Sequence, residues 1–368
     1  MSNTDKQPSG AMAQSWTEAN AGTAPIRDPQ WGGEGTLARW MEAHVQGFQG
    51  PVAVEQFKGG QSNPTYKLIT PTGAYVLRRK PAGPLLQSAH AVDREYRVIC
   101  ALHRQGFPVP RAHGLCTDDA VIGSWFFVMD FVDGKIFWDA SFPEVPRAER
   151  RAYFAAMNQV LGRLHGLSPD AIGLGDYGRG GSYLQRQIAR WTKQYLSDEI
   201  AGRLPAIDYL IDWLPANIPA GEELAIVHGD FRSDNLVFAA NEPRVIAVLD
   251  WELSTLGHPL VDFCFHAMMY RVPENLISGL CGVDLAASNI PTEKEYVELY
   301  CHNTHREGIP HYEYYLAFNM FRLAAILHGI KARALRGTAS SPHALEASRR
   351  LEELATLARE QARRAACG

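Results

Sequence analysis

The segment VHGDFRSDNLVF, residues 227–238, carries a dense set of polar side chains between apolar flanks. They are His228, Asp230, Arg232, Asp234 and Asn235. Polar groups at the edge of a core are costly unless a partner stabilises them. The segment is therefore either a polar turn whose carboxylates cap backbone groups, or a site that binds something.

A second carboxylate, Asp250, ends the apolar run VIAVLD, which is typical of a strand buried on both faces. With the preceding NLVF this run predicts a hairpin that brings Asn235 and Asp250 side by side. An amide oxygen and a carboxylate suit Mg²⁺, which takes one or two protein ligands beside phosphates and water. Asp230 precedes Asn235 on the same connection, where it could accept a proton from a nucleophile near the metal.

A helix predicted after Ser88 carries Glu95 on its apolar face, between Val92 and Ile99. An inward carboxylate requires a cation. The preceding strand, YVLRRK, offers Arg78 or Lys80 on one of its faces. A strand cation held by a helix glutamate beneath a Gly-rich loop is a phosphate clamp.

The elements that must position these groups fall into two parts. A small α+β lobe with antiparallel hairpins is predicted from VAVEQF, TYKLIT, AYVLRRK, the helix after Ser88 and SWFFVMDFV, with the Gly-rich KGGQSNP between the first two strands. From about residue 145 the apolar periodicity is helical. We assign residues 1–33 to a disordered leader, 34–131 to the first lobe and 132–368 to a helical lobe that includes the catalytic segment.

With these motifs in this order, the chain resembles the aminoglycoside phosphotransferase family, which has a two-lobed protein-kinase-like fold. HGDFRSDN is similar to that family's catalytic loop, VLDWE to its metal-binding segment and REYRVICAL to the segment of its helix glutamate. The longer segments FKGGQSNPTYKL, YVLRRKP and HGDFRSDNLVF are most similar to those of the subgroup associated with acyl-CoA dehydrogenases. The resemblance runs from about residue 50 to 270.

The resemblance implies a role for each matching residue. Asp230 would orient or deprotonate the substrate hydroxyl, while Asn235 and Asp250 would hold Mg²⁺. Arg78 would pair with Glu95 and contact the α- and β-phosphates of ATP, or of GTP.

The nucleotide would also meet two backbone segments. Gly59, Gly60, Gln61 and Ser62 would cover it, although KGGQSNP lacks the spacing of a G-x-G-x-x-G loop. The backbone from Asp130 to Val132 would be the hinge that contacts adenine.

The acceptor is expected to be a small molecule with a hydroxyl group, because the short WELSTLGH after Asp250 leaves no room for a peptide-docking loop. The subgroup resemblance suggests a hydroxy acid or its CoA thioester.

Arg232 could direct a positive charge toward the transferring phosphoryl group. Arg186 and Arg190 could meet an acidic acceptor or form a solvated helix face.

Two other functions remain open. The fold could serve as a nucleotide-binding pseudokinase or scaffold. His258, Asp262 and His266 recur at intervals of four residues, as in a metal-dependent hydrolase. That spacing covers about 12 Å of helix axis, too far for one tetrahedral ion, so we expect Asp262 to brace the catalytic loop instead.

Composition limits the remaining classes. The 368 residues carry a net charge of −4, unlike a basic nucleic-acid binder. The six cysteines contain no C-x-x-C pair and favour a reducing compartment. With neither a signal peptide nor a membrane span expected, we predict a cytoplasmic protein. An apolar seam of leucines on the last helix allows a monomer or a homodimer.

Overall fold

The computed structural model describes residues 22–26, 31, 33–58, 63–81, 91–178, 181–273, 276, 279–338, 345 and 348–367. The chain divides into two compact units. Unit 1 comprises Met1–Trp138 and Asp234–Glu252, and unit 2 comprises Asp139–Ser233 and Leu253–Gly368.

The described strands, in chain order, are Thr23–Ala24 (β1), Ala53–Phe57 (β2), Thr65–Thr70 (β3), Gly73–Arg79 (β4), Ala112–Cys116 (β5), Phe126–Asp130 (β6), Ala225–Val227 (β7), Leu236–Phe238 (β8), Val245–Val248 (β9) and Thr255–Gly257 (β10).

The described helices are Glu34–His44 (α1), Val92–Arg104 (α2), Asp119–Ile122 (α3), Arg150–His165 (α4), Tyr183–Leu196 (α5), Pro205–Ala216 (α6), Pro259–Ala267 (α7), Leu285–Ser288 (α8), Glu293–Asn303 (α9), Tyr312–Leu335 (α10) and Leu351–Cys367 (α11).

The core of unit 1 lies on a six-stranded antiparallel sheet in the order β1-β2-β3-β4-β6-β5. Strands β2, β3, β4 and β6 match the four strand segments predicted from the sequence. The edge strand β5 was not predicted, because AHGLC is short, contains Gly114 and shifts register against β6 between Ala112 and Gly114.

Strand β1 corrects part of the predicted disordered leader. Thr23 pairs with Phe57 and Ala24 with Gln56, and the Thr23 hydroxyl donates to the Glu55 carboxylate at 2.5 Å. Two residues without an apolar pattern can thus extend a sheet through backbone pairing, here supported by one side-chain hydrogen bond. Residues 1–21 lie outside the described residues.

The β8–β9 hairpin groups with unit 1, whereas a contiguous split of the sequence put it in the helical lobe. Backbone hydrogen bonds of 2.8 Å run in both directions between Lys135 and Phe238, and Val248 N–H donates to the Pro108 carbonyl at 2.8 Å. Gly134 permits this approach, since an added Cβ would lie 2.4 Å from the Phe238 carbonyl oxygen.

Unit 2 is built around α10, whose buried residues include Tyr314, Phe318 and Phe321. The apolar seam of α11 packs within the unit against α10 and α6, burying Leu351 and Leu354, while Leu345 is exposed. This seam is therefore largely used inside the chain. Among the described residues, no helix is both long and apolar enough to span a bilayer.

Candidate active site

The polar residues of interest in unit 1 gather around one guanidinium, that of Arg78 on β4. Its Nε lies 3.1 Å from Glu95 Oε1, its Nη2 donates to Asp250 Oδ1 at 2.9 Å, and Nη2 lies 3.7 Å from Glu252 Oε2. Lys80 instead lies beside the ring of Trp125. Of the two candidate cations, Arg78 is thus the one that meets the helix glutamate.

Burial shapes the charges of this cluster. Burial raises the pKa of Glu95 to about 7, while the positive charge of Arg78 opposes that rise. For Arg78, burial acts to lower the pKa, but the charges of Glu95 and Asp250 outweigh it, so the pKa lies above its usual value. Arg78 is therefore a permanent cation.

The β8–β9 hairpin delivers Asn235 and Asp250 to one end of the strand pair. Leu236 pairs with Val248, and Leu249 N–H donates to the Asn235 carbonyl at 2.8 Å. Asp250 follows with φ 63°, a left-handed conformation that costs energy for a residue with a side chain. Such strain at an ion-paired carboxylate is typical of functional sites.

Sequence reasoning missed two members of this cluster, Glu252 and Asn63. Asn63 is 1% exposed, and its Nδ2 donates to Glu252 Oε2 at 3.2 Å. Glu252 was present in VLDWE, two residues after Asp250, and that spacing could have drawn attention to it. Asn63 directly follows the predicted nucleotide loop, whose residues Gly59, Gly60, Gln61 and Ser62 lie outside the described residues.

The predicted hinge follows β6. Asp130 N–H donates to the Arg111 carbonyl and Phe131 N–H to the Ala74 carbonyl, so both donors are used. The Asp130 carboxylate contacts His113 Nε2 at 2.6 Å. In the part of the chain that the structure describes, Val132 makes no backbone hydrogen bond, which leaves its N–H and carbonyl open to a ligand.

In unit 2, Asp262 on α7 braces the turn at His228 and Gly229, as expected. Its Oδ2 accepts from His228 N–H at 2.7 Å and its Oδ1 from Gly229 N–H at 2.8 Å. His165 Nε2 lies 3.2 Å from Oδ2. Burial acts to raise the pKa of Asp262, but hydrogen bonding from His165 and the neighbouring charges hold it below its usual value. The carboxylate is therefore ionised and committed to the loop.

Asp230 follows this anchored turn, and Arg232 Nε lies 3.4 Å from Asp230 Oδ1. The turn depends on Gly229 at φ 84°, where an added Cβ would lie 2.8 Å from the Leu253 carbonyl oxygen. Asp230 is partly exposed, with 26% of its side chain accessible. The loop holds Asp230 by its backbone and leaves its side chain accessible.

The two histidines of the rival metal triad have structural partners. His258 Nδ1 accepts from Leu260 N–H at the start of α7, and His266 contacts the Phe231 carbonyl and the Tyr296 hydroxyl. Burial lowers the pKa of His266 to about 4, so its ring is neutral. The described residues include no group of three or more His, Cys, Asp or Glu side chains able to hold a metal ion. The two histidines are therefore engaged in structural contacts within unit 2.

Comparisons with known proteins agree with one another. The model of the APH family, described as the phosphotransferase enzyme family, matches residues 53–296. The chain is 42% identical over 339 residues to acyl-CoA dehydrogenase family member 10 of Mus musculus, covering 91% of this chain but 32% of that protein. The chain likewise spans less than half the length of the other curated relatives it matches.

Solved structures give the fold. A structure from Ralstonia eutropha, assigned to the aminoglycoside phosphotransferases, is 49% identical with a TM-score of 0.82, covering 90% of this chain and 98% of that one. Spectinomycin phosphotransferase, solved with ADP and spectinomycin, has a TM-score of 0.60 at 12% identity and covers 92% of this chain and all (100%) of its own. The chain thus has the kinase-like α+β fold, with an antiparallel sheet in one part and mostly helices in the other.

Proposed function

The chain belongs to the APH phosphotransferase enzyme family, and on that premise we propose that it transfers the γ-phosphoryl group of ATP to a hydroxyl group of a small molecule. The observation that carries this proposal is the cluster of Arg78 with Glu95 and Asp250. A strand cation held by a helix glutamate is the arrangement that kinases use to bind the α- and β-phosphates.

The donor set of unit 1 fits Mg²⁺. Three carboxylates, those of Glu95, Asp250 and Glu252, lie within 4 Å of one guanidinium, so the cluster carries excess negative charge when all are ionised. We propose that Asp250 and Asn235 hold the metal, since hard oxygen ligands are what Mg²⁺ prefers. Bound there, Mg²⁺ would neutralise charge on the transferring phosphoryl group.

The chain's own residues would bind and orient the nucleotide. Arg78 would donate to phosphate oxygens from its planar fork. The open backbone groups of Val132, beside Asp130, would meet the adenine edge, and Gly59, Gly60, Gln61 and Ser62 would cover the phosphates.

Unit 2 would act on the acceptor. Asp230 would accept a hydrogen bond from the substrate hydroxyl and take its proton as the phosphoryl group is transferred. The Arg232 guanidinium beside it would stabilise developing negative charge. The loop fixed by Asp262 would hold the nucleophile in one geometry, which is the main source of rate acceleration in such reactions.

We propose a hydroxy acid, or its CoA thioester, as the acceptor. The support is the identity to acyl-CoA dehydrogenase family members, of which the chain covers less than half. An acyl acceptor with a hydroxyl group would connect a phosphotransferase to fatty-acyl chemistry. This acceptor class rests on analogy with those relatives.

The test is a thermal-shift titration with ATP and with GTP, each with and without Mg²⁺, on the wild-type protein and on Asp250→Asn. A ligand that binds only the folded state raises the unfolding midpoint. We expect a Mg²⁺-dependent rise that Asp250→Asn weakens, and the preferred nucleotide gives the larger rise. If neither nucleotide raises the midpoint, the phosphotransfer proposal is wrong. If the nucleotide binds but no hydroxylated acceptor is phosphorylated, a pseudokinase is the better description.

A further inference from the structure

We propose that unit 2 contains an anion subsite, formed by Arg322 and Arg190, that binds a carboxylate or phosphate group of the acceptor. This inference rests on the proposed function, because it assigns a chemical class to the molecule that Asp230 would activate. Its observations are independent of the nucleotide cluster and come from α5, α10 and the turn before Asp230.

Arg322 is a buried cation without a carboxylate. It lies on α10, is 6% exposed and forms no ion pair with any residue that the structure describes. Leaving an isolated charge in a protein interior is costly, so buried cations nearly always have an anionic partner. The missing partner is the first sign of an external anion.

The hydrogen bonds of Arg322 are also incomplete. A guanidinium has five N–H donors. Arg322 Nη2 donates to the Gly229 carbonyl at 2.6 Å, while Nε is buried without an acceptor among the described residues. The rings of Trp191 and Phe265 lie 5.8 and 5.0 Å from its Cζ. These rings stabilise the charge but accept few of its hydrogen bonds.

A second guanidinium shares these surroundings. Arg190 Cζ lies 4.9 Å from the centroid of the Trp191 ring, and Arg190 forms no ion pair with a described residue. Burial lowers the pKa of Arg190, and the charge of Arg322 lowers it further. Both guanidiniums thus lie beside the ring of Trp191, where a bound anion would offset the repulsion between two like charges.

Arg322 lies next to the turn that precedes Asp230. Gly229, whose carbonyl accepts from Arg322, immediately precedes Asp230. Tyr183 lies near both arginines, since their charges act on its hydroxyl, and its ring lies against Gly257 of β10, where an added Cβ would be 2.8 Å away. An anion held by Arg322 and Arg190 would therefore belong to a molecule that approaches Asp230.

An oxyanion is the ligand that fits. Arginine binds carboxylates and phosphates through paired, charge-assisted hydrogen bonds. A hydroxy acid would supply a carboxylate, whereas a CoA thioester has lost its carboxylate and would supply a phosphate. The shared chemistry is the oxyanion, and two matched pairs of probes distinguish its sources.

The experiment measures binding by calorimetry, without turnover. One pair is 3-hydroxyoctanoate and its neutral amide, and the other is 4′-phosphopantetheine and pantetheine, which differ by one phosphate. We expect one charged probe to bind at least about tenfold more tightly than its neutral partner, as one or two hydrogen bonds to a charged group would give. Preference for the acid identifies a carboxylate site, and preference for the phosphorylated probe a phosphate site.

Variants of the two arginines test whether the preference for the charged probe depends on them. Arg190→Gln removes a charge without removing a hydrogen bond of the fold, and it should abolish most of the preference. Lys193→Gln on the same helix makes the same change in charge away from Trp191, and it should leave the preference intact. Arg322→Lys, which keeps the charge but loses the planar fork, should weaken binding less than Arg322→Gln.

Equal binding of both members of each pair, or an unchanged preference in Arg190→Gln, would overturn the subsite. The result is separable from the proposed function. If the nucleotide raises the unfolding midpoint but no charged probe is preferred, only the subsite proposal is wrong. An anion preference without any nucleotide shift leaves the subsite and removes the phosphotransferase proposal.

Discussion

Asp250 in unit 1 and Asp262 in unit 2 are twelve residues apart in the sequence. Their carboxylates differ in burial and in the partners that neutralise them. Asp262 is 2% exposed in its side chain and accepts two backbone N–H groups besides contacting His165. Asp250 is 32% exposed and shares Arg78 with Glu95 and Glu252. Asp262 is satisfied by the protein itself, whereas Asp250 retains capacity for a ligand.

This difference distinguishes residues that stabilise the fold around the site from residues that are available to bind a ligand. A buried carboxylate with a complete set of donors contributes to the stability of the native fold. A partly exposed carboxylate in a left-handed conformation, with one cation among three acids, contributes little stability and favours binding of a further cation. Substitutions near Asp262 should therefore change the free energy of unfolding, and those around Arg78 should change ligand affinity.

The largest expected effect is on turnover. Asp230→Asn keeps the size and the backbone anchors of the loop but removes the proton acceptor, so kcat should fall about 10²- to 10⁴-fold. The nucleotide-dependent rise in melting temperature should persist, because Asp230 would act on the acceptor. A steady-state assay paired with thermal shift checks both. Wild-type turnover in Asp230→Asn would exclude Asp230 as the catalytic residue.

The second effect is on stability. Asp262→Ala should lower the free energy of unfolding by about 3–5 kcal/mol, because two backbone donors and His165 lose their buried acceptor. Chemical denaturation measures the change. Glu298→Ala, which removes an exposed carboxylate of unit 2 paired with Lys294, should change stability by less than about 1 kcal/mol. Equal losses in the two variants would contradict the proposed bracing.

Acid should reduce the difference between wild type and Asp262→Ala. The pKa of Asp262 lies below the usual value of an aspartate side chain, so its ionised form stabilises the fold at pH values above that usual value. This contribution is lost as pH falls through the lower pKa of the folded protein. Denaturation at pH 7 and at progressively lower pH should show the two free energies converging only below about pH 4.

Much of this architecture was predictable because its signals are local. The family and the kinase-like fold were identified from motif order and are confirmed. The burial of Glu95 followed from helical periodicity, and the β8–β9 hairpin from two apolar runs about a turn. Each depends on side-chain spacing within one or two elements.

The parts that were not predicted depend on tertiary pairing. Strand β5 is a short edge strand that β6 orders, and Thr23–Ala24 pairs through backbone groups with no apolar pattern. The contact of Asn63 with Glu252 joins residues 189 positions apart, which no local spacing encodes. The roles assigned to Asp230, Arg232, Asn235 and Asp250, and the bounds of the domains, stay predictions.

A smaller effect, on affinity, should follow Glu95→Gln. The variant removes one carboxylate from Arg78 but leaves Asp250 and Glu252 as partners, so the stability of the free protein should change little. Arg78 would lose the group that orients it, and the Kd for nucleotide should rise about tenfold, as the loss of one charge-assisted hydrogen bond predicts. Calorimetric titration of both proteins gives the Kd values. If Glu95→Gln strongly destabilises the protein and leaves the Kd for nucleotide unchanged, Glu95 acts on the stability of the fold, as Asp262 does, and the proposed difference between the two regions is wrong.

The smallest effect should be the coupling between Asn63 and Glu252. Their hydrogen bond connects the end of the predicted nucleotide loop to the segment that carries Asp250, so each residue should position the other. Both have further contacts, so single variants mix several effects. A double-mutant cycle with Asn63→Ala and Glu252→Ala isolates the pair. We expect a coupling free energy of about 0.5–1.5 kcal/mol in nucleotide binding. Additive losses would show that Asn63 and Glu252 contribute to nucleotide affinity independently.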